Sequence, residues 1–125
     1  TRVPGRASRM PEGERLAAFA ATGATLVIHL AIHAIDKIVE QLTPFYGADC
    51  PAVVIERASW PDQRIVRGVL SDVAGRLAAQ PIERTAVILI GRALAAEDFR
   101  ESALYDPDYR RRFRGGASRA EENGA

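Results

Sequence analysis

The sequence predicts an α/β fold, a mixed sheet of about five strands flanked by helices. Two observations carry this. Runs of branched aliphatic residues, "ATLVIHLAI", "PAVVIERA", "RIVRGVL" and "TAVILIG", recur along the chain with the composition of strands. Between them lie segments whose apolar residues recur every three or four positions, the period of a helix with one buried face. Strand and helix in alternation imply a layered domain with a largely parallel or mixed sheet. The 125 residues suit one domain, and with 47% apolar residues a packed core is expected.

The elements follow in order. Residues 1 to 10, "TRVPGRASRM", read as a loop, with a fifth strand at Thr1 and Arg2 cut short by the chain start. Pro11 opens a helix, because proline suits a first turn, and Glu12 and Glu14 favour the positive end of its dipole. Leu16, Phe19 and Ala20 share its inner face, and Gly23 stops it. Residues 24 to 32 have the aliphatic density of a strand buried on both faces. In "HAIDKIVEQL", residues 33 to 42, Ile35, Ile38, Val39 and Leu42 oppose Asp36, Lys37, Glu40 and Gln41 as on an amphipathic helix. "TPFYGAD" reads as a loop before the strand at residues 51 to 58. A third strand covers residues 64 to 70 with Gly68 inside it. Ser71 is placed to cap a helix over "DVAGRLAAQ", which ends before Pro81. The last strand is residues 85 to 91, and "GGASRAEENGA" closes the chain with the composition of a disordered tail.

Several function classes are disfavoured. A net charge of +1 predicts no general attraction to nucleic acid or anionic lipid. No apolar run reaches the ~18 residues of a membrane span, and no signal peptide is visible. Cys50 is the single cysteine, so no internal disulfide can form and a cytoplasmic setting is expected. The chain opens on Thr1 without a lead-in, as if cut from something longer.

Candidate sites are few. His29 and His33 are four apart, as in a helical zinc pair, but one falls in a strand and the other opens a helix, so no metal site is expected. No serine sits in a nucleophile elbow, and no phosphate loop or dinucleotide fingerprint occurs. "YRRRFRG", residues 109 to 115, is basic with interleaved aromatics, yet Glu101, Asp106 and Asp108 nearly neutralise it. What remains is the crevice beyond the carboxyl ends of the strands, where open α/β sheets bind ligands. At Leu30 to Ile32, Arg57 to Ser59 and Gly91 to Leu94, small residues (Ala31, Ala58, Gly91, Ala93) would let a flat ring reach the backbone. Close helix packing accounts for the same small residues equally well.

The stretch "CPAVVIERASWPDQRIVRGVLSDVAGRLAAQPIERTAVILIGRAL" resembles the C-terminal domain of the tetrapyrrole methylases, the S-adenosylmethionine-dependent enzymes of corrin and sirohaem synthesis. The shared pattern is a Pro-led strand, a Ser-Trp-Pro-Asp-Gln turn, an Ile-Val-Arg-Gly strand and "GR" after the last strand. "TRVPGRASRMPEGERLAAFA" resembles the start of that domain, and "FRESALYDPDYRRRFR" is similar to the tail of the branch that methylates carbon 11 of precorrin-4. The resemblance implies a C-terminal α/β domain over residues 1–95, a family tail over 96–114, a disordered end over 115–125, and an N-terminal domain absent from this chain. It implies S-adenosylmethionine as cofactor, S-adenosylhomocysteine as product, a tetrapyrrole substrate, and a homodimer. It carries cofactor contacts to Leu30, Ala58, Ala93 and Leu94, with Trp60 and Pro61 fixing the strand exit and Trp60 packed. Arg110, Arg111 and Arg112 are placed to meet substrate carboxylates. No general base is assigned. A sibling methylase acting at another corrin carbon, a diphthamide-type methylase of this fold, and a non-catalytic binding or dimerisation module are the alternatives.

Overall fold

The structure, a computed structural model, describes residues 1–5 and 9–95. The family tail, the expected disordered end and Arg110, Arg111 and Arg112 lie outside the described residues. Among the described residues four strands form one sheet: β1 (Leu26–His29), β2 (Pro51–Glu56), β3 (Arg64–Val69) and β4 (Ala86–Ile90). The same residues form the α-helices α1 (Leu16–Ala20), α2 (Ile35–Tyr46) and α3 (Val73–Ala79).

The strand order is β1-β4-β2-β3 and every ladder is antiparallel, which corrects the expectation of a largely parallel or mixed sheet. The reason is topological. β1 and β2 both run opposite to β4, so the crossover through α2 does join two strands of like direction. It skips one position, however, and β4 fills that slot in reverse. The crossover through α3, from β3 to β4, skips β2 in the same way. The expected fifth strand reduces to an isolated parallel bridge, Arg2 to His29, on the free edge of β1. Thr1 fastens it: its amino group donates to the Val27 carbonyl at 2.7 Å, and its carbonyl accepts from His29 N–H at 2.8 Å.

Alternation along the strands sorts side chains between two faces. Leu26, Ile28, Ala52, Val54, Val66, Ile88 and Ile90 are buried in one cluster with Leu16 and Ala20 of α1, Ile38 and Leu42 of α2, and Val73 and Leu77 of α3. The other face carries Val27, Val53, Ile55, Ile65, Val87 and Leu89, with Val27 38% and Ile65 43% exposed. β1 is therefore buried on one face, not both.

Element ends differ from the sequence reading for local reasons. The first expected helix breaks in two, a 3-10 turn at Glu12–Glu14 and then α1, because Arg15 between them is extended (ψ 149°). Gly13 weakens that first turn through its backbone entropy. α2 runs four residues past Leu42, through Pro44, where a loop was expected. Thr43 Oγ1 bonds the Val39 carbonyl at 2.6 Å, and buried Tyr46 donates its hydroxyl proton to the Ala24 carbonyl at 2.5 Å. Tertiary docking of Tyr46 thus outweighs the proline's missing donor. Gly47, at φ 88°, ends the helix. Asp72, not Ser71, occupies the cap position of α3. Its Oδ1 accepts from Val69 N–H at 2.7 Å and its Oδ2 from Arg76 Nε at 2.9 Å, which ties β3 to α3.

Candidate functional site

Because β4 runs against its neighbours, one end of the sheet gathers the carboxyl ends of β1 and β2 around the start of β4. A pocket of about 450 Å³ opens there. Its walls are Leu30 and Ala31 after β1, Ile55 near the end of β2, Arg57, Ala58 and Trp60 after it, and Thr85, Ala86 and Val87 at the start of β4.

The backbone around it is unusual. Leu30 (φ 55°), Arg57 (φ 49°), Ser59 (φ 70°) and Thr85 (φ 57°) are the non-glycine residues with left-handed backbone among the described residues. Three of these four line the pocket and Ser59 follows Ala58 directly. A left-handed non-glycine residue costs about 1–2 kcal/mol, and such strain collects where geometry serves a ligand. Hydrogen bonds hold it in place. Arg57 N–H donates to the Thr85 carbonyl at 2.8 Å, stitching β2 to β4 beyond the ladder. Ser59 N–H donates to Gln63 Oε1 at 2.7 Å, and Trp60 N–H to the Arg57 carbonyl at 2.9 Å, which closes the turn. The backbone groups of Leu30 and Ala58 have no hydrogen-bond partner among the described residues. Two strand ends therefore present N–H and C=O groups without a partner among the described residues, beside methyl-sized side chains at Ala31, Ala58 and Ala86.

The structure places Leu30 and Ala58 on one pocket, and Ala93 and Leu94 away from it. Those follow the carboxyl end of β4, which antiparallel pairing puts at the opposite end of the sheet. There Arg92 Nη2 bonds the Tyr46 carbonyl at 2.7 Å and Asp49 Oδ1 at 2.8 Å. This bond and the guanidinium charge hold the Asp49 carboxyl below the usual aspartate range. Thr85 and Ala86 complete the pocket instead, and sequence reasoning missed both. Their signal is a threonine and an alanine ahead of an aliphatic run, which means nothing until the direction of β4 is known.

Trp60 is not packed in the core; it is 56% exposed and forms an outer wall, with the Arg57 guanidinium 5.9 Å from its ring centroid. Arg57 Nη1 also bonds Asp62 Oδ2. His29 and His33 both reach the pocket, although their positions in strand and turn argued that they would not share a face. Among the described residues no three His, Cys, Asp or Glu side chains are grouped to hold a metal ion. No helix among them is long and apolar enough to cross a membrane.

The family model described as Tetrapyrrole (Corrin/Porphyrin) Methylases matches residues 5–74. A protein of Sinorhizobium named Precorrin-4 C(11)-methyltransferase is 64% identical over 92% of this chain and 46% of its own length. One of the same name from Pseudomonas aeruginosa is 53% identical over 87% of this chain and 44% of its own. The chain thus spans about half the length of the curated relatives it matches. Among solved structures, a cobalamin biosynthetic enzyme, cobalt precorrin-4 methyltransferase, superposes with a TM-score of 0.69 at 31% identity, covering 76% of this chain and 40% of that one.

Proposed function

The chain belongs to the tetrapyrrole (corrin/porphyrin) methylases, and from that premise we propose that it is the C-terminal part of a precorrin-4 C(11)-methyltransferase. Such an enzyme transfers the methyl group of S-adenosylmethionine to carbon 11 of precorrin-4, giving precorrin-5 in cobalamin biosynthesis. Residues 1–95 would be its C-terminal domain and 96–114 a family tail, and the additional length of the relatives would supply an N-terminal domain that closes the cleft. A cytoplasmic homodimer is the corresponding whole. The observation that carries this reading is the identity shared with the Sinorhizobium protein along almost the entire chain.

The residues present fit the cofactor's nucleoside end. The backbone groups of Leu30 and Ala58, without a partner among the described residues, suit the edge of adenine, which alternates donors and acceptors. Ala31, Ala58 and Ala86 leave its plane room, and the pocket volume of about 450 Å³ lies within the range of small-molecule sites. When bound, the cofactor supplies a methyl group activated by a positively charged sulfur. The protein's contribution is then to hold the sulfur and the ring carbon in line and to exclude water. No side chain of the pocket is assigned a proton-transfer role. Ala93 and Leu94, carried over from the family resemblance, would act only through contacts outside this pocket.

The test uses the methylase of full family length that carries this chain. It should bind S-adenosylhomocysteine in calorimetry and add one methyl group to precorrin-4, seen by product mass. Methylation of another tetrapyrrole with precorrin-4 untouched would move the chain to a sibling activity.

A further inference from the structure

We propose that Arg57 and Arg84 form a carboxylate-recognition site at the mouth of the pocket. The inference rests on the methylase reading, because that reading supplies the carboxylates: the acetate and propionate arms of the tetrapyrrole, or the α-carboxylate at the methionine end of the cofactor. Both present the same planar anion, and both would project outward from an adenosine seated against Leu30 and Ala58.

The placement of Arg57 is fixed three times over. Its N–H is bound to the Thr85 carbonyl at 2.8 Å, its backbone is left-handed at φ 49°, and its guanidinium lies 5.9 Å from the centroid of Trp60. Asp62 takes Nη1. A guanidinium has five N–H donors in a rigid fork, so one bond to Asp62 orients it without exhausting it. The side chain is 43% exposed and lines the pocket. Pinning Arg57 to Thr85 also brings the neighbouring residue, Arg84, to the same rim, and Arg84 has no ion-pair partner among the described residues. A guanidinium held near an aromatic ring and oriented by a neighbouring carboxylate keeps its remaining N–H donors in the planar fork that captures a carboxylate bidentately.

Local charge does not explain the arrangement. Glu83 shares the rim and Asp62 offsets Arg57, so the mouth is close to neutral as a field. Recognition therefore comes from fork geometry at contact distance, and attraction at long range contributes little. The expected salt dependence of ligand capture is correspondingly shallow.

The experiment compares the full-length methylase with its Arg57→Gln, Arg84→Gln and doubly substituted variants by calorimetry against three probes. S-adenosylhomocysteine has the α-carboxylate, 5′-methylthioadenosine keeps the nucleoside but lacks it, and uroporphyrin III carries only ring carboxylates. The double variant should lose at most a little affinity for methylthioadenosine, whose nucleoside meets Arg57 only as part of the pocket wall. It should lose about tenfold to hundredfold in affinity, the size of one charged hydrogen bond, for one of the other two probes. Loss for uroporphyrin III assigns the site to the substrate's arms, and loss for S-adenosylhomocysteine alone assigns it to the cofactor. Unchanged affinity for both carboxylate probes overturns the inference and leaves the nucleoside pocket standing. Equal losses for all three probes overturn it too, since the arginines would then shape the pocket instead of reading an anion. If Arg57→Gln compromises folding, Arg84→Gln alone carries the comparison. A wild-type enzyme without affinity for any probe sinks both this inference and the methylase reading.

Discussion

A single methyl group is what Ala58 presents to the pocket, between left-handed Arg57 and Ser59. Replacing it by leucine puts branched carbon where the adenine plane would lie, while the exposed position leaves the fold little affected. Ala58→Leu in the full-length methylase should weaken S-adenosylhomocysteine binding about tenfold or more, a loss of at least ~1.4 kcal/mol. Unaltered affinity by calorimetry would remove Ala58 from the cofactor site. Cys50 illustrates the opposite situation at the far end of the sheet. It is fully buried, and burial pushes its thiol above the ordinary value, against the weaker opposing pull of Arg92. The thiolate is the reactive form, so Cys50 should resist a disulfide reagent at neutral pH until denaturant is added. Prompt labelling of the native chain would show that the contact between α2 and β2 opens readily.

Two glycines in different elements should respond in opposite directions to the same substitution. Gly75 lies on α3, and a Cβ added there meets nothing within 4 Å. Gly75→Ala should stabilise the chain by about 0.5–1 kcal/mol by lowering the entropy of the unfolded backbone. At Gly91, just past β4, a Cβ would come within 2.9 Å of Thr25 Cα. A backbone atom beside β1 cannot yield as a side-chain tip can, so Gly91→Ala should cost about 1–3 kcal/mol. Urea midpoints of the two variants check both signs. The junction of β3 and α3 adds a pH dependence. The Val69 N–H, and then Arg76, hold the Asp72 carboxyl below the usual aspartate range. A depressed value stabilises the fold above the unfolded value, about pH 3.9, and that contribution disappears as pH falls through the lower folded value. Asp72→Asn should therefore be less stable than the wild type near neutrality, with the difference closing in acid; a constant difference in urea midpoint from neutral to acid would count against it. These elements also mark what the sequence could tell. The aliphatic runs became β1 to β4 almost in place because composition and period are local signals. Pro44 misled because the burial of Tyr46, a tertiary contact, overrode it. Ala93 and Leu94 parted from Leu30 and Ala58 because strand direction depends on which slot β4 enters, and no local pattern encodes that slot. Leu30 and Ala58 were legible because each follows a strand whose direction the helical crossover does fix.

Among the described residues, helices cover one face of the sheet only, and the pocket opens at the sheet's end. Leu30 is 80% exposed and Trp60 56% exposed, so an adenosine against them would keep one side in water. Typical small-molecule sites bury ~70–90% of the ligand, and the described residues offer no second wall. Val27 and Ile65 on the uncovered face add apolar area of the kind that draws chains together. The chain of 125 residues should therefore bind S-adenosylhomocysteine far more weakly than the full-length relative from Sinorhizobium, and it should show no methyl transfer to precorrin-4. Its apparent mass in light scattering should rise with concentration, and Ile65→Lys should reduce that rise by placing a charge on the exposed face. Titration of both proteins side by side, with turnover followed in each, decides the matter. Comparable cofactor affinity, or any turnover by the 125-residue chain, would mean that the site is complete within these residues and that the two-domain reading of the cleft is wrong.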